Sequence, residues 1–344
     1  MANLAKLLGI DVPIIQAPMA GVQAGALAAA VSQAGGLGSL PCALLTPETM
    51  RKELELVRSR TASPLNVNFF CHGAPPPDAA REAAWREILA PYYREFGIDP
   101  DAIPEGPGRA PFSEEAADVV EPFRPEVVSF HFGLPAPKLL ARVKSWGSKI
   151  LSSATTVEEA LWLEAHGVDA VIAQGLEAGG HRGMFLTEDL TTQVGTLALL
   201  PQVVAAVKVP VIATGGIADT QGVRAAFALG ASAVQVGTAF LLCSEATTSA
   251  VHRAALKSEA ARHTALTNLF TGRAARCIVN RVLREIGPMN PAAPAFPLAT
   301  TAITPLRAKA EAMGSSDFSP IWSGQNPRGC REIGAAQLLL GLAP

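Results

Sequence analysis

His181 is the residue in this sequence best placed to move a proton. It sits in Ala173-Gln-Gly-Leu-Glu-Ala-Gly-Gly-His-Arg-Gly183, just past the apolar run Asp169-Ala-Val-Ile-Ala173. That run reads as a fully buried parallel strand. Imidazole is the side chain whose charge changes near neutral pH. Gln174 adds an amide that both donates and accepts, and Gly179 and Gly180 allow positive φ and close approach of backbone to a ligand. Taken alone, the same residues also describe a glycine-rich surface turn carrying an exposed histidine. The rest of the chain decides between the two.

A second chemistry lies in Gly215-Gly216 and in Gln235-Val236-Gly237-Thr238. Each glycine turn follows a short apolar run and opens a helix, so backbone N–H groups and helix dipoles can cradle a phosphate. The Thr238 hydroxyl adds a donor, and the amides of Asn68 and Gln174 can hold the polar parts of whatever the phosphate tethers. Plain tight turns are the alternative. His131 is either a second functional histidine or a core residue with one satisfied nitrogen. No carboxylate pair, Ser-His-Asp order or metal cluster stands among these positions, so no metal site is expected. A cofactor then has to supply the reactivity.

The elements that must position these residues follow a βα rhythm. Strands are expected at 12–19, ending in the Pro18-Met19 turn, and at 36–40, 65–70, 127–132, 149–154, 169–173, 209–213 and 233–237. Helices are expected between them, with Thr46-Pro47, the capping box Thr156-Val-Glu-Glu159 and Asp219 as starts. Eight strands at this spacing argue for an α/β fold of the (β/α)8 TIM-barrel type, with a doubly wound open sheet as the alternative. Ligands of such barrels sit at the C-terminal strand ends, which gathers every residue named above.

Residues 71–124 break the rhythm. Pro75-Pro-Pro77, Pro104, Pro107 and Pro111 punctuate two expected helices, about 78–96 and 113–123, in an insertion on the side or mouth of the barrel. After Thr238 the pattern turns helical, about 239–256 and 257–269, then Thr271-Gly-Arg273 followed by a helix to Ile286, and another around 304–313. These helices are expected to form a smaller domain over the barrel mouth, with no strand to cover. The expected division is a barrel over 1–244, a lid over 245–320, and a segment 321–344 whose last helix, about 334–340, returns to the barrel.

Composition narrows the partners. Of 344 residues 49% are hydrophobic and 17% charged, with 30 glycines and 27 prolines. That suits a large core with tight connections and excludes disorder. A net charge of −2 without a basic run argues against nucleic acid and anionic membrane. The N-terminus lacks a signal-peptide pattern and no apolar run spans a bilayer, so a cytoplasmic protein is expected, as monomer or homodimer. The five scattered cysteines suit neither a disulfide framework nor structural zinc, and Cys71-His72 is poor ligand spacing.

Gln16-Ala-Pro-Met-Ala-Gly-Val22, Gly35-Gly-Leu-Gly38, Asn66-Val-Asn-Phe-Phe70, Ala178-Gly-Gly-His-Arg-Gly183, Ala213-Thr-Gly-Gly-Ile217, Gln235-Val-Gly-Thr238 and Trp322-Ser-Gly-Gln325 together resemble the nitronate monooxygenase family, formerly 2-nitropropane dioxygenase. The motifs run in order from about residue 10 to residue 325. The resemblance implies an FMN-containing TIM barrel closed by a smaller helical domain. It implies that Pro18, Met19, Asn68, Gln174, Gly179, Gly180, Gly215, Gly216 and Gln235 to Thr238 hold FMN. It further implies that His181 is the active-site histidine and His131 a second one in the pocket. In family terms an alkyl nitronate gives one electron to FMN, dioxygen takes part, and a carbonyl compound and nitrite result. Where nitroalkanes are substrates, the histidine removes the α-proton. One departure stands out. Many bacterial members place tyrosines and a lysine in the C-terminal pocket region, whereas this chain has only Tyr92 and Tyr93 and offers Phe296. An acidic substrate would need other donors, with Arg273 and Lys309 as candidates, although both also read as ordinary solvated charges. The scaffold is similar to FMN-dependent, NAD(P)H-consuming enoyl and quinone reductases as well, and a flavin-free phosphate-binding barrel is the remaining alternative.

Overall fold

Eleven strands build two sheets in the computed structural model, which describes residues 4–103 and 109–344. They are β1 (Ile14–Gln16), β2 (Gly38–Pro41), β3 (Leu65–Phe70), β4 (Val127–His131), β5 (Lys149–Ala154), β6 (Ala170–Gln174), β7 (Gly180–His181), β8 (Val211–Thr214), β9 (Ala233–Val236), β10 (Thr264–Thr267) and β11 (Ala275–Ile278). Eight of them pair in parallel in the order β1-β9-β8-β6-β5-β4-β3-β2. A bridge between Ile15 and Leu37 closes the ring, with the Gln16 N–H 2.9 Å from the Leu37 carbonyl. The fold is the expected (β/α)8 barrel.

The continuous apolar strands follow from this closure, because both faces of each strand are covered. Outward residues such as Ile14, Val67, Val128, Val171 and Val236 pack under the surrounding helices. Inward residues, among them Ile15, Leu37, Leu151, Ile172 and Ile212, form an inner core with Leu4 and Leu8 of the first helix, Leu4–Leu8. The expected helix starts are present. Thr46 accepts from the Thr49 N–H at 3.2 Å, Thr156 from the Glu159 N–H at 3.2 Å, and Asp219 from the Gly222 N–H at 2.8 Å. The Glu159 carboxylate does more than a capping box requires. Fully buried, it accepts from the Thr155 N–H and hydroxyl, both at 2.7 Å, and from the Phe185 N–H at 2.5 Å. It thereby ties down the chain just past His181.

The region 71–124 divides between two cores. Its helix Ala79–Phe96 sends Trp85, Leu89, Tyr92 and Tyr93 into a second hydrophobic core with Phe270, Leu283, Ala302, Leu306 and Phe318. The Tyr93 hydroxyl donates to the Ala302 carbonyl at 2.6 Å. The helix Glu114–Val120 packs instead on the barrel side, where Arg142 binds Glu114, Asp118 and Glu121. Pro104 and Pro107 lie outside the described residues.

The C-terminal part differs most from expectation. In place of long helices it has a 3-10 turn Thr238–Leu242, a helix Ala250–Lys257, a second 3-10 turn Glu259–Arg262 and a helix Arg281–Ile286. Between them lies a strand pair that the periodicity did not suggest. β10 and β11 run antiparallel, and β11 also pairs with β7, setting Ala275 opposite His181. Alanine, leucine and arginine favour helix locally, but two backbone ladders outweigh that preference. The helix expected near 304 begins earlier, as Ala299–Ala312, and the last helix, Ala335–Leu342, returns to the barrel helix Gly25–Gln33, with Leu339 beside Gly36 just past that helix. No helix among the described residues is long and apolar enough to cross a membrane.

Candidate active site

A cavity of about 180 Å³, open at its mouth to solvent, occupies the C-terminal ends of the barrel strands. Pro18, Met19, Asn68, His131, Gln174, Gly179, Gly180, His181, Gly215, Gly216, Gln235, Gly237 and Thr238 all line it. Val236 does not: one residue out of phase on its strand, its side chain joins the outer core.

One end of the cavity gathers open backbone donors. Gly215 and Gly216 take φ of 118° and 72°, open to glycine alone at low cost. Among the described residues, the backbone N–H groups of Gly215, Gly216 and Gly237 find no protein acceptor. The Thr238 hydroxyl oxygen accepts from the Gly324 N–H at 2.9 Å, leaving its proton for a ligand. Gln235 has its carboxamide oxygen buried without a partner. Opposite, both N–H groups of the Asn68 amide go to Ser129, at 2.9 Å to Oγ and 3.2 Å to the carbonyl, so its oxygen is left to the cavity. The Pro18-Met19 turn is pinned by the Met19 N–H on Gln23 Oε1 at 3.0 Å.

The loop carrying His181 is held from below. Gln174 donates to the His181 carbonyl at 3.0 Å and accepts from the Gly183 N–H at 2.7 Å, so much of its amide braces the loop. Arg182 is fully buried and donates to the Gln174 and Gly175 carbonyls, both at 2.7 Å. His131 uses both ring nitrogens: Nδ1 is 3.1 Å from Ser153 Oγ and Nε2 3.3 Å from the His181 carbonyl. A carbonyl only accepts, so Nε2 carries the proton. Desolvation, reinforced by Arg273 and Arg182, pushes His131 down to about 3.

His181 is different. Its Nε2 lies 2.9 Å from Thr271 Oγ1, whose hydroxyl is itself 3.4 Å from the Arg273 carbonyl. When the hydroxyl donates to that carbonyl, Thr271 accepts from the Nε2 N–H, and Nδ1 is left as a lone pair with no protein partner among the described residues. Phe296, Trp322, Phe132 and Phe70 surround the ring at 5.3, 5.5, 5.9 and 6.0 Å between centroids. Burial holds His181 well below its ordinary pKa, with Arg109, His131, Arg273 and His72 adding to the effect. It is a neutral imidazole at neutral pH, rather than the near-neutral switch expected of the free side chain.

The match to known proteins agrees with this arrangement. The family model for nitronate monooxygenase matches residues 2–344. The chain belongs to the nitronate monooxygenase family. The nitronate monooxygenase of Pseudomonas aeruginosa is 46% identical over 98% of this chain and 97% of that protein. The one from Paraburkholderia phytofirmans is 43% identical, over 98% and 93%. Among solved structures, nitroalkane oxidase from Streptomyces ansochromogenes superposes with a TM-score of 0.89 at 40% identity, over 99% of this chain and 97% of that one. FabK from Thermotoga maritima follows at 0.75 and 29%, over 99% and 94%.

Membership makes this chain an oxidoreductase and gives the cavity a purpose. Several of its residues escaped sequence reasoning. Ser129 and Ser153 orient the predicted Asn68 and His131, and both lie inside apolar strands as ordinary strand residues. Arg109 comes from the insertion and is a charged side chain in the cavity wall. Nothing in its local sequence signals that position. Of the two cations considered for an acidic ligand, Lys309 is exposed on its helix. Arg273 is half-buried, stacked 4.1 Å over Phe132 and donating to the Met184 carbonyl, and does not line the cavity.

Proposed function

We propose that the chain binds FMN at the strand ends and oxidises alkyl nitronates with dioxygen to a carbonyl compound and nitrite. The observation that carries this reading is the convergence of unpaired donors and acceptors on one cavity. The N–H groups of Gly215, Gly216 and Gly237 with the Thr238 hydroxyl suit a phosphate. The free oxygens of Asn68 and Gln235 suit the polar edge of the ring system. Pro18, Met19, Gly179 and Gly180 supply the flanking walls. Flavin, when bound, supplies the one-electron chemistry with dioxygen that no side chain of this cavity offers.

The chain's own residues then divide the remaining work. His181 Nδ1 accepts the α-proton when a neutral nitroalkane is offered, leaving a nitronate and an imidazolium. Thr271 holds the tautomer that makes Nδ1 the base. His131 has no free nitrogen for proton transfer, so it positions the His181 carbonyl instead of acting as a second catalytic histidine. Phe70, Phe132, Phe296 and Trp322 exclude water around the ring. A nicotinamide-consuming reductase has less behind it. FabK, the neighbour on which a FabK-like reductase reading would rest, is less similar than nitroalkane oxidase, at 29% against 40% identity and a TM-score of 0.75 against 0.89.

Anaerobic stopped-flow mixing with propyl-2-nitronate and, separately, with NADH tests the reading. Loss of flavin absorbance with the nitronate alone is expected. Fast bleaching by NADH alone would move the assignment to a reductase. His181→Asn should lose nitroalkane turnover, and full retention would remove the base role.

A further inference from the structure

Arg109 has an environment unlike that of any other buried arginine here. Arg182, Arg273 and Arg276 commit their guanidinium groups to backbone carbonyls: Gln174 and Gly175, Met184, and Leu176 respectively. Among the described residues, the Arg109 guanidinium makes a single hydrogen bond, from Nη1 to Thr300 Oγ1 at 2.8 Å. No described carboxylate pairs with it, and it is the one charged side chain among the described residues of the cavity wall. Its position is nevertheless fixed. The His72 ring donates from Nε2 to the Arg109 carbonyl at 2.8 Å, and the guanidinium carbon stands 5.7 Å from the centre of the Phe296 ring. That same ring lies 5.3 Å from His181. Desolvation, with Arg307 nearby, lowers Arg109 to about 10, so it stays charged at neutral pH. A half-buried cation with open N–H groups, and with no counter-ion among the described residues, is suited to take up an anion.

We propose that Arg109 binds the nitronate group of the substrate and selects the anion over the neutral nitroalkane of the same skeleton. The inference rests on the nitronate-oxidising reading. A nitronate carries its charge on two oxygens in one plane, as a carboxylate does, and a guanidinium fork matches such a pair. A nitroalkane offers the same two oxygens without net charge, so it gains far less from the contact. Within one cavity, Arg109 holds the oxygens and His181 Nδ1 serves the carbon. The binding step is thus carried by a residue of the insertion, and the proton step by a residue of the barrel loop.

The test compares the two ligand forms in Arg109→Gln, Arg109→Lys and the unaltered enzyme, each loaded with cofactor and checked for melting temperature. KM for propyl-2-nitronate should rise about ten- to one-hundred-fold in Arg109→Gln, the effect of losing a charged hydrogen-bond partner. The affinity for 2-nitropropane, read as its KM or as its Ki against the nitronate, should stay within about threefold. Arg109→Lys keeps the charge without the fork, and its KM for the nitronate should fall between those of the other two. If the glutamine variant does not fold, the lysine variant against the unaltered enzyme carries the same comparison. Equal losses for both ligand forms, or no loss for either, would overturn the proposal. So would a loss confined to nitronates bearing a second acidic group, since Arg109 would then read a remote carboxylate. An unaltered enzyme that does not oxidise the nitronate at all would sink the functional reading instead.

Discussion

Thr271→Val removes one hydroxyl and keeps the shape of a residue that is 1% exposed. Among the described residues that hydroxyl is the sole partner of His181 Nε2, at 2.9 Å. With valine there, the neutral ring must either bury an N–H without an acceptor or move its proton to Nδ1, the atom that has to accept the substrate proton. An orphaned donor of this kind costs about 1–3 kcal/mol, a factor of about five to 150 in the population of the working tautomer. The loss should fall on turnover that begins with proton abstraction. Nitroethane oxidation is expected to drop by about that factor, while oxidation of ethyl nitronate, which has no α-proton to surrender, should change less than about threefold. Oxygen uptake measured with each substrate over a range of concentrations checks both arms. Equal losses would mean that valine disturbs the cavity as a whole. No loss with nitroethane, or no nitroethane turnover by the unaltered enzyme, would refute the assignment of Nδ1 as the base. The selectivity is opposite to that expected for Arg109→Gln, so the two variants separate proton removal from anion binding.

Further expectations concern stability and closure of the site. His131 and His252 are held neutral by burial, at about 3 and about 4, against an unfolded value near 6.5. Between those limits the unfolded chain binds protons that the native state refuses, so stability falls as pH drops below about 6.5. The slope is about 1.4 kcal/mol per pH unit for each such histidine, and His181 and His72, also lowered, add in the same direction. Denaturant midpoints flat between pH 7 and 5 would contradict this. A Cβ at Gly179 would meet the Gly324 nitrogen at 2.5 Å, backbone that cannot rotate away. Gly179→Ala should therefore lift the 322–326 segment, at a cost of about 1–3 kcal/mol, and lower the flavin content of the purified protein; unchanged flavin content and melting temperature would show that the close approach is unimportant.

Legibility followed the range of the interactions. Barrel strands declare themselves locally, since burial on both faces demands continuous apolar runs, and caps such as Thr46 and Asp219 act within three residues. Glycines at strand ends were readable for the same reason: a positive φ at Gly215 or Gly216 is a property of the residue itself. The strand pair β10-β11 was not readable, because its short segments of helix-favouring residues become strands only when paired with each other and with β7.

The sequence by itself determined the barrel, the glycine turns and the presence of a histidine beside them. Tertiary structure decided what those groups do. Two histidines of the same type part company because His131 meets a serine and a carbonyl, while His181 meets one threonine and keeps a free nitrogen. Arg109 becomes a wall of the cavity because the insertion that carries it packs against Thr300, 191 positions away. Protonation state and charge compensation depend on neighbours brought in from elsewhere in the chain, and desolvation acts only once they have closed around the group.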